Sequence, residues 1–137
     1  MNEYLKPLPV LNDENRAFWT AAHQGRLCMQ ACTSCGHVRF PIAHVCPRCL
    51  SYDFEWRDLS GRGKIFSYIV YHHVYQQAFK GDVPYNVALV QLDEGPRMYS
   101  NIVGVSNDVP KVGDAVEAVF DKVTADVSLP RFRLLAR

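Results

Sequence analysis

The chain has 137 residues, of which 48% are hydrophobic and 12% aromatic, so it carries enough apolar side chain to exclude a wholly disordered protein. Its 15 Lys and Arg residues against 14 Asp and Glu residues give a net charge of +1, which argues against a broad polyanion-binding surface. No apolar run approaches the roughly 18 residues of a membrane helix, and the N-terminus has no apolar signal core, so we expect a cytoplasmic protein that does not act at a membrane.

The first predicted element is a short helix over about residues 13–24. Asn12 or Asp13 can cap its N-terminus. Phe18 contributes to an apolar face, and Trp19 lies beside that face. The helix either packs back on the rest of the chain or docks on another protein. For the second case, Phe18 and Trp19 are candidate partner contacts.

Two C-x2-C pairs follow the helix, at Cys32 and Cys35 and, after ten intervening residues, at Cys46 and Cys49. Two such pairs can wrap opposite sides of one ion and supply a tetrahedral thiolate set, which predicts a zinc ribbon. Four free thiols are the alternative without metal, and iron in a rubredoxin-like role is the alternative metal. Four protein ligands leave no open position, so we expect a structural site. Cys28, the fifth cysteine, is expected to be a buried apolar residue.

The segment after the ribbon is predicted to be rich in strands. Five or six short strands in some 80 residues, without a long helix, favour a small closed barrel of the OB type over a small sandwich. The fold is therefore expected to be mainly β, with residues 1–27 as leader and helix, 28–55 as zinc ribbon and 56–137 as barrel. The candidate strands are Trp56–Leu59, Lys64–Tyr71, Val87–Leu92, Arg97–Val103, Ala115–Phe120 and Leu129–Leu135.

An aromatic segment over residues 71–85 joins two of these strands. Aromatic side chains on a loop need cover from the domain, a ligand or a partner. Tyr75, Phe79, Lys80 and Tyr85 are therefore candidate contacts with a partner or ligand. We predict no catalytic residue, since the two adjacent histidines of this segment point to opposite faces of a strand. Those histidines are His72 and His73.

Several motifs together resemble a known family. They are the two cysteine pairs with Pro47, and residues 61–68, 90–95 and 100–104, which read GRGKIFSY, VQLDEG and SNIVG. The chain is similar here to the acyl-CoA-associated zinc-ribbon/OB-fold proteins, known as domain of unknown function 35. The resemblance implies a non-catalytic subunit that binds a thiolase, a sterol-carrier-type thiolase, a synthase or a hydratase. It implies a hetero-oligomer in which the chain bridges subunits and shapes an acyl-CoA site.

The sequence therefore leaves three candidate functions. The first is the accessory subunit of a thiolase-type acyl-CoA enzyme, an acyltransferase, aldolase or synthase. The second is a single-stranded nucleic-acid-binding module, which the near-zero net charge disfavours. The third is a stand-alone enzyme. Contact with coenzyme A requires cations for its phosphates, and the candidates are Lys64, Lys80, Arg97, Arg131 and Arg133.

Overall fold

The structure is a computed structural model that describes residues 8–73, 81 and 83–135. Within these residues the chain forms one helix, α1 (Arg16–His23), followed by strands in two sheets. The strands are β1 (Cys28–Cys32), β2 (Val38–Arg39), β3 (Phe54–Asp58), β4 (Arg62–Tyr71), β5 (Tyr85–Leu92), β6 (Arg97–Ser100), β7 (Ile102–Val103), β8 (Ala115–Lys122) and β9 (Ser128–Leu134). The predicted mainly β fold is confirmed.

The helix begins three residues later than the sequence predicts. Asn15 occupies the N-cap position, while the Asn12 side chain accepts hydrogen bonds from the backbone N–H groups of Glu14 and Asn15, both at 3.0 Å. Asn12 therefore organises the turn before the helix, as asparagine does in Asx turns. Gly25 follows the C-terminus with a φ of 79°, a left-handed conformation that glycine adopts without a Cβ clash.

The apolar face of α1 packs on the chain itself. Phe18 is only 4% exposed and belongs to the hydrophobic core, and Ala21 and Ala22 are buried beside it. This burial argues against the predicted contact of Phe18 with a partner, because little of its side chain reaches the surface. The sequence showed the apolar face but did not show what covers it.

The first sheet has the order β2-β1-β3, with both pairs antiparallel. All five residues of β1 are buried, because the strand lies between its two neighbours and under α1. The strand that the sequence placed at Trp56–Leu59 is β3, and Phe54 on it pairs with Cys32 of β1. This strand belongs to the ribbon sheet and crosses the predicted domain boundary between residues 55 and 56.

The second sheet has the order β6-β5-β4-β8-β9-β7. Its two outer strands are consecutive in sequence and are separated only by Asn101, so one bent segment pairs with β5 through β6 and with β9 through β7. The β7–β9 pair is parallel, while the other pairs are antiparallel. The sheet thus returns on itself as a barrel, which leaves no long open edge. The OB-type prediction is confirmed.

Buried Asn86 on β5 holds the bend that closes the barrel. Its side chain donates to the carbonyl oxygen of Ile102 at 2.8 Å and accepts from the backbone N–H of Ile102 at 2.7 Å. Asn101 donates in turn to the backbone carbonyl of Asn86. These bonds satisfy polar groups that would otherwise be buried without partners at the corner.

Ribbon and barrel share one core. Met29 and Ala31 from the first sheet, and Leu27 just before it, lie in the same buried cluster as Val90 and Phe132 from the second. Every second residue of β5 is buried, so the strand presents one inward face and one half-buried outward face rather than two buried faces. Within the described part of the chain, no helix is long and apolar enough to span a membrane.

Candidate metal centre and binding face

Two matching backbone turns present the four cysteines. The N–H of Gly36 donates to the carbonyl of Cys32, and the N–H of Leu50 donates to the carbonyl of Cys46, both at 2.9 Å. The residue after each pair takes a left-handed conformation, with a φ of 81° at Gly36 and 66° at Leu50. The turns are therefore equivalent in geometry although only one of them has the glycine that suits this conformation.

The turns bring the four sulfur atoms into one cluster. All four Sγ atoms lie within 4.8 Å of one another, with 3.5 Å between those of Cys32 and Cys49 and 3.6 Å between those of Cys35 and Cys46. A tetrahedral zinc site with Zn–S bonds of about 2.3 Å has S···S edges of about 3.8 Å. The four cysteines are thus positioned to bind one zinc ion in a rubredoxin-like ribbon, as predicted from their spacing.

The thiols of Cys32 and Cys49 differ in pKa. The backbone N–H of Cys35 stabilises the thiolate of Cys32 and lowers its pKa to about 6. At Cys49 the backbone N–H of Ser51 acts in the same direction, but the neighbouring sulfur atoms outweigh it and raise the pKa to about 12. Since thiolates repel one another, the last proton leaves only when a cation enters the cluster. The donor set therefore fits a divalent metal.

Side chains near the cluster take no ligand position. His44 pairs with Glu14 at the surface, with 3.0 Å between Nε2 and Oε1. Cys28 is 5% exposed, and desolvation raises the pKa of its thiol. The prediction that Cys28 is a buried apolar residue is confirmed, and the raised pKa keeps this thiol protonated and unreactive.

The remaining candidate contacts have separate positions. Trp19 is half-buried and meets Phe18 edge-on, with 4.9 Å between ring centroids. Tyr85 stacks on Tyr71 across the β4–β5 pair at 5.3 Å. The structure therefore places Trp19 and Tyr85 on different elements, α1 and β5. The candidates Tyr75, Phe79 and Lys80 lie outside the described residues.

The candidate cations differ in whether they pair with a carboxylate. Arg131 pairs with Asp121 at 2.9 Å, and Arg133 pairs with Glu117, so both guanidinium groups already have a carboxylate. Lys64 and Arg97 have no ion pair among the described residues. They flank Gln91 in register on neighbouring strands, and Arg97 donates to Gln91 Oε1 at 2.6 Å.

These two cations border an apolar surface that sequence reasoning missed. Phe66, Ile69 and Tyr99 point outward from β4 and β6 and are 48%, 49% and 73% exposed. The guanidinium of Arg97 lies 3.9 Å from the centroid of the Phe66 ring. We call this surface the outer barrel face, formed by Lys64, Phe66, Ile69, Arg97 and Tyr99. Its signal in the sequence is the apolar residues Phe66 and Ile69 beside Lys64 on one predicted strand.

Comparison with known proteins assigns the chain to a family. Residues 19–55 match the family model of the ChsH2 rubredoxin-like zinc ribbon domain, and residues 56–121 match that of the ChsH2 C-terminal OB-fold domain. A solved structure, the Ltp2-ChsH2(DUF35) aldolase, has a similar chain with a TM-score of 0.83 and 38% identity, covering 93% of this chain and 98% of that chain. This chain belongs to the DUF35 family. The resemblance derived from its motifs is confirmed.

Two curated relatives extend the comparison. The DUF35 domain-containing scaffold protein of Methanothermobacter thermautotrophicus is 43% identical over 93 residues, which cover 67% of this DUF35 chain and 69% of the relative. The probable enoyl-CoA hydratase alpha subunit of Thermomonospora curvata is 39% identical over 129 residues, which cover 94% of this chain. The chain matches only 40% of the length of that hydratase subunit.

Proposed function

We propose that this DUF35 chain is a non-catalytic accessory subunit of a thiolase-type acyl-CoA enzyme, an acyltransferase, aldolase or synthase. The observation that carries the proposal is the similarity to the DUF35 chain of the aldolase structure, which covers 98% of that chain. The hydratase relative, of which the match covers 40%, supports an acyl-CoA setting.

The chemistry of the metal centre supports a structural role. Its four ligands are all protein thiolates, so a bound zinc ion has no open position for water or substrate. When bound, zinc would link the two cysteine-bearing turns of the ribbon. The residues Cys32, Cys35, Cys46 and Cys49 would hold it, and the catalytic groups would come from the partner.

We assign the outer barrel face to the acyl-CoA site that the chain shapes with its partner. Coenzyme A carries phosphates, and Lys64 and Arg97 are cations of this face that pair with no carboxylate among the described residues. Phe66 and Tyr99 offer exposed aromatic rings beside them. A charged, aromatic surface of this kind suits a phosphorylated nucleotide, because ring stacking and charge-assisted hydrogen bonds act together.

The first experiment is affinity purification of the tagged chain from the lysate of its native host, with mass spectrometry of the co-eluting proteins. We expect a stoichiometric thiolase-like subunit whose acyl-CoA turnover falls when the chain is removed. Recovery of nucleic-acid machinery, or an enzyme whose turnover does not depend on the chain, would contradict the proposal. Metal analysis of the same sample tests zinc against iron.

Charge reversal on the outer barrel face tests the acyl-CoA assignment. Lys64→Glu with Arg97→Glu should raise the KM of the complex for acyl-CoA at least about tenfold, because each lost charge-assisted hydrogen bond costs about 1.5–3 kcal/mol. Lys122→Glu, an exposed lysine at the end of β8, is the matched control and should leave KM unchanged. If the Lys64→Glu, Arg97→Glu variant and the control had equal KM values, the assignment of acyl-CoA to this face would be wrong.

Single-stranded nucleic acid is the second candidate, favoured by the same face. OB folds bind oligonucleotides on their second and third strands, and β5 and β6 hold those positions here. Stacking aromatics beside cations are the usual means. Binding of a single-stranded oligonucleotide that weakens steeply with salt, and that is lost in Lys64→Glu with Arg97→Glu, would establish this function instead.

A further inference from the structure

Arg39 on β2 is a buried arginine in the ribbon sheet. Its side chain is 4% exposed, and its Nε donates to Gln30 Oε1 at 3.2 Å. Its Nη2 donates to the carbonyl of Ala43 at 3.0 Å, and the guanidinium carbon lies 5.0 Å from the Phe54 ring centroid. The remaining nitrogen, Nη1, is sealed from solvent and has no hydrogen-bond partner among the described residues.

The partners of this guanidinium are all neutral. A guanidinium keeps its positive charge in proteins, so burial does not neutralise Arg39. Among the described residues, no carboxylate forms an ion pair with it, although arginines elsewhere on the surface have such pairs. A buried charge held only by dipoles is expensive, and buried charges are normally paired or placed beside a metal centre.

The strand register places Arg39 on the same side of the ribbon sheet as one of the metal ligands. Arg39 pairs with Gln30 on β1, and Cys32 lies two residues further along that strand, on the same side of the sheet. Phe54, on which the guanidinium stacks, pairs directly with Cys32. Two residue steps along a strand span about 6.6 Å. The guanidinium therefore lies on the side of the sheet that carries this ligand, and it packs on the residue that pairs with the ligand.

We propose that Arg39 is the buried counter-charge of the metal-loaded centre. Four thiolates and one divalent ion carry a net charge of −2, which the protein must accommodate beside a core. A positive charge at about 10 Å in a medium of effective dielectric constant about 20 stabilises each unit of that charge by about tenfold in an equilibrium constant. The role requires a metal at the four cysteines but no partner enzyme, so it stands or falls separately from the accessory-subunit function.

Iron in place of zinc gives a readout that responds to charge. A four-thiolate site binds iron as well, and one-electron reduction of Fe(III) to Fe(II) takes the centre from −1 to −2. Removing the positive charge in Arg39→Met should disfavour the −2 state and lower the reduction potential. The expected shift is about tenfold in the equilibrium constant, or about 59 mV for one electron, measured by voltammetry on the intact chain.

Two further variants separate charge from packing. Arg39→Lys keeps the charge and should retain the wild-type potential to within a small fraction of that shift. Arg57→Met removes an exposed arginine of the same sheet, one that pairs with Glu55 at 3.0 Å, and should leave the potential unchanged. An unchanged potential in Arg39→Met, or the same fall in Arg57→Met, would overturn the proposal.

If Arg39→Met does not load iron, its affinity for zinc tests the proposal instead. Zinc affinity is then measured on the intact chain by competition with a chelator, with Arg39→Gln as a second neutral variant. The proposal requires at least about tenfold weaker zinc binding in Arg39→Met and Arg39→Gln, with near wild-type binding in Arg39→Lys. Equal loss in all three variants would show that the side chain acts through its shape, and would overturn the counter-charge role.

Discussion

Gly63 on β4 lies where two neighbouring strands leave no room for a side chain. A Cβ at this position would sit 2.3 Å from the backbone oxygen of Gln91 and 3.0 Å from the Cα of Leu92, whereas ordinary contact begins at 3.4 Å. Gly63 also pairs with Val116 on its other side, so β4 cannot move away from β5 without disturbing β8. Gly63→Ala should therefore strain both ladders.

The free energy of unfolding should fall by about 3 kcal/mol. Overpacking costs about 1–3 kcal/mol, and one lost backbone hydrogen bond adds about 1 kcal/mol. For a domain of this size the melting temperature should drop by roughly 10 °C. Lys64 follows Gly63 on the same strand, so the strain also reaches the outer barrel face.

Urea unfolding of the metal-loaded chain, followed by circular dichroism, measures this change. Gly81→Ala is the matched control, since no atom of the described residues lies within 4 Å of a Cβ built there. The control should stay within about 0.5 kcal/mol of the wild type. A Gly63→Ala variant as stable as the control would refute the reasoning, because the barrel would then tolerate an overlap of 1.1 Å (3.4 minus 2.3) between neighbouring strands.

Three further predictions concern the ribbon. Zinc binding must displace the proton of Cys49 at any ordinary pH, because the pKa of that thiol is about 12. Below about pH 6 zinc binding must also displace the proton of Cys32, whose pKa is about 6. Chelator competition across pH should therefore show an additional tenfold loss of affinity per unit below about pH 6. Gly36→Ala should lower the free energy of unfolding by about 1 kcal/mol, while Leu50→Gly at the equivalent left-handed position should not lower it; urea unfolding measures both. Cys28→Ala should keep the full zinc content by metal analysis, whereas zinc loss would make Cys28 a ligand.

Local patterns predicted the metal centre and most strands. A C-x2-C pair can be recognised from the local sequence, because the short turn between its two cysteines brings both sulfur atoms to one ion. The strands β4, β5, β8 and β9 were visible for a similar reason, since runs of apolar and β-branched residues favour strands wherever they pack.

Other features depended on which segments meet in space. Phe18 was visible as apolar, but its burial between α1 and the rest of the chain required the positions of the two sheets. The predicted strand over residues 97–103 is divided at Asn101, since Asn86 from β5 binds the backbone there. Hydrogen bonds between residues 15 positions apart leave no periodic signal in the chain.

The sequence by itself determined the class of this protein: a four-thiolate ribbon, a small β barrel and the motifs of the DUF35 family. Only the tertiary structure decided which cations pair with a carboxylate: Arg133 meets Glu117 across a strand pair, whereas Lys64 has no ion pair within the part of the chain that the structure describes. It also decided that Arg39 is a buried charge. Propensity and spacing act along the chain, whereas burial and charge pairing depend on neighbours that the fold supplies.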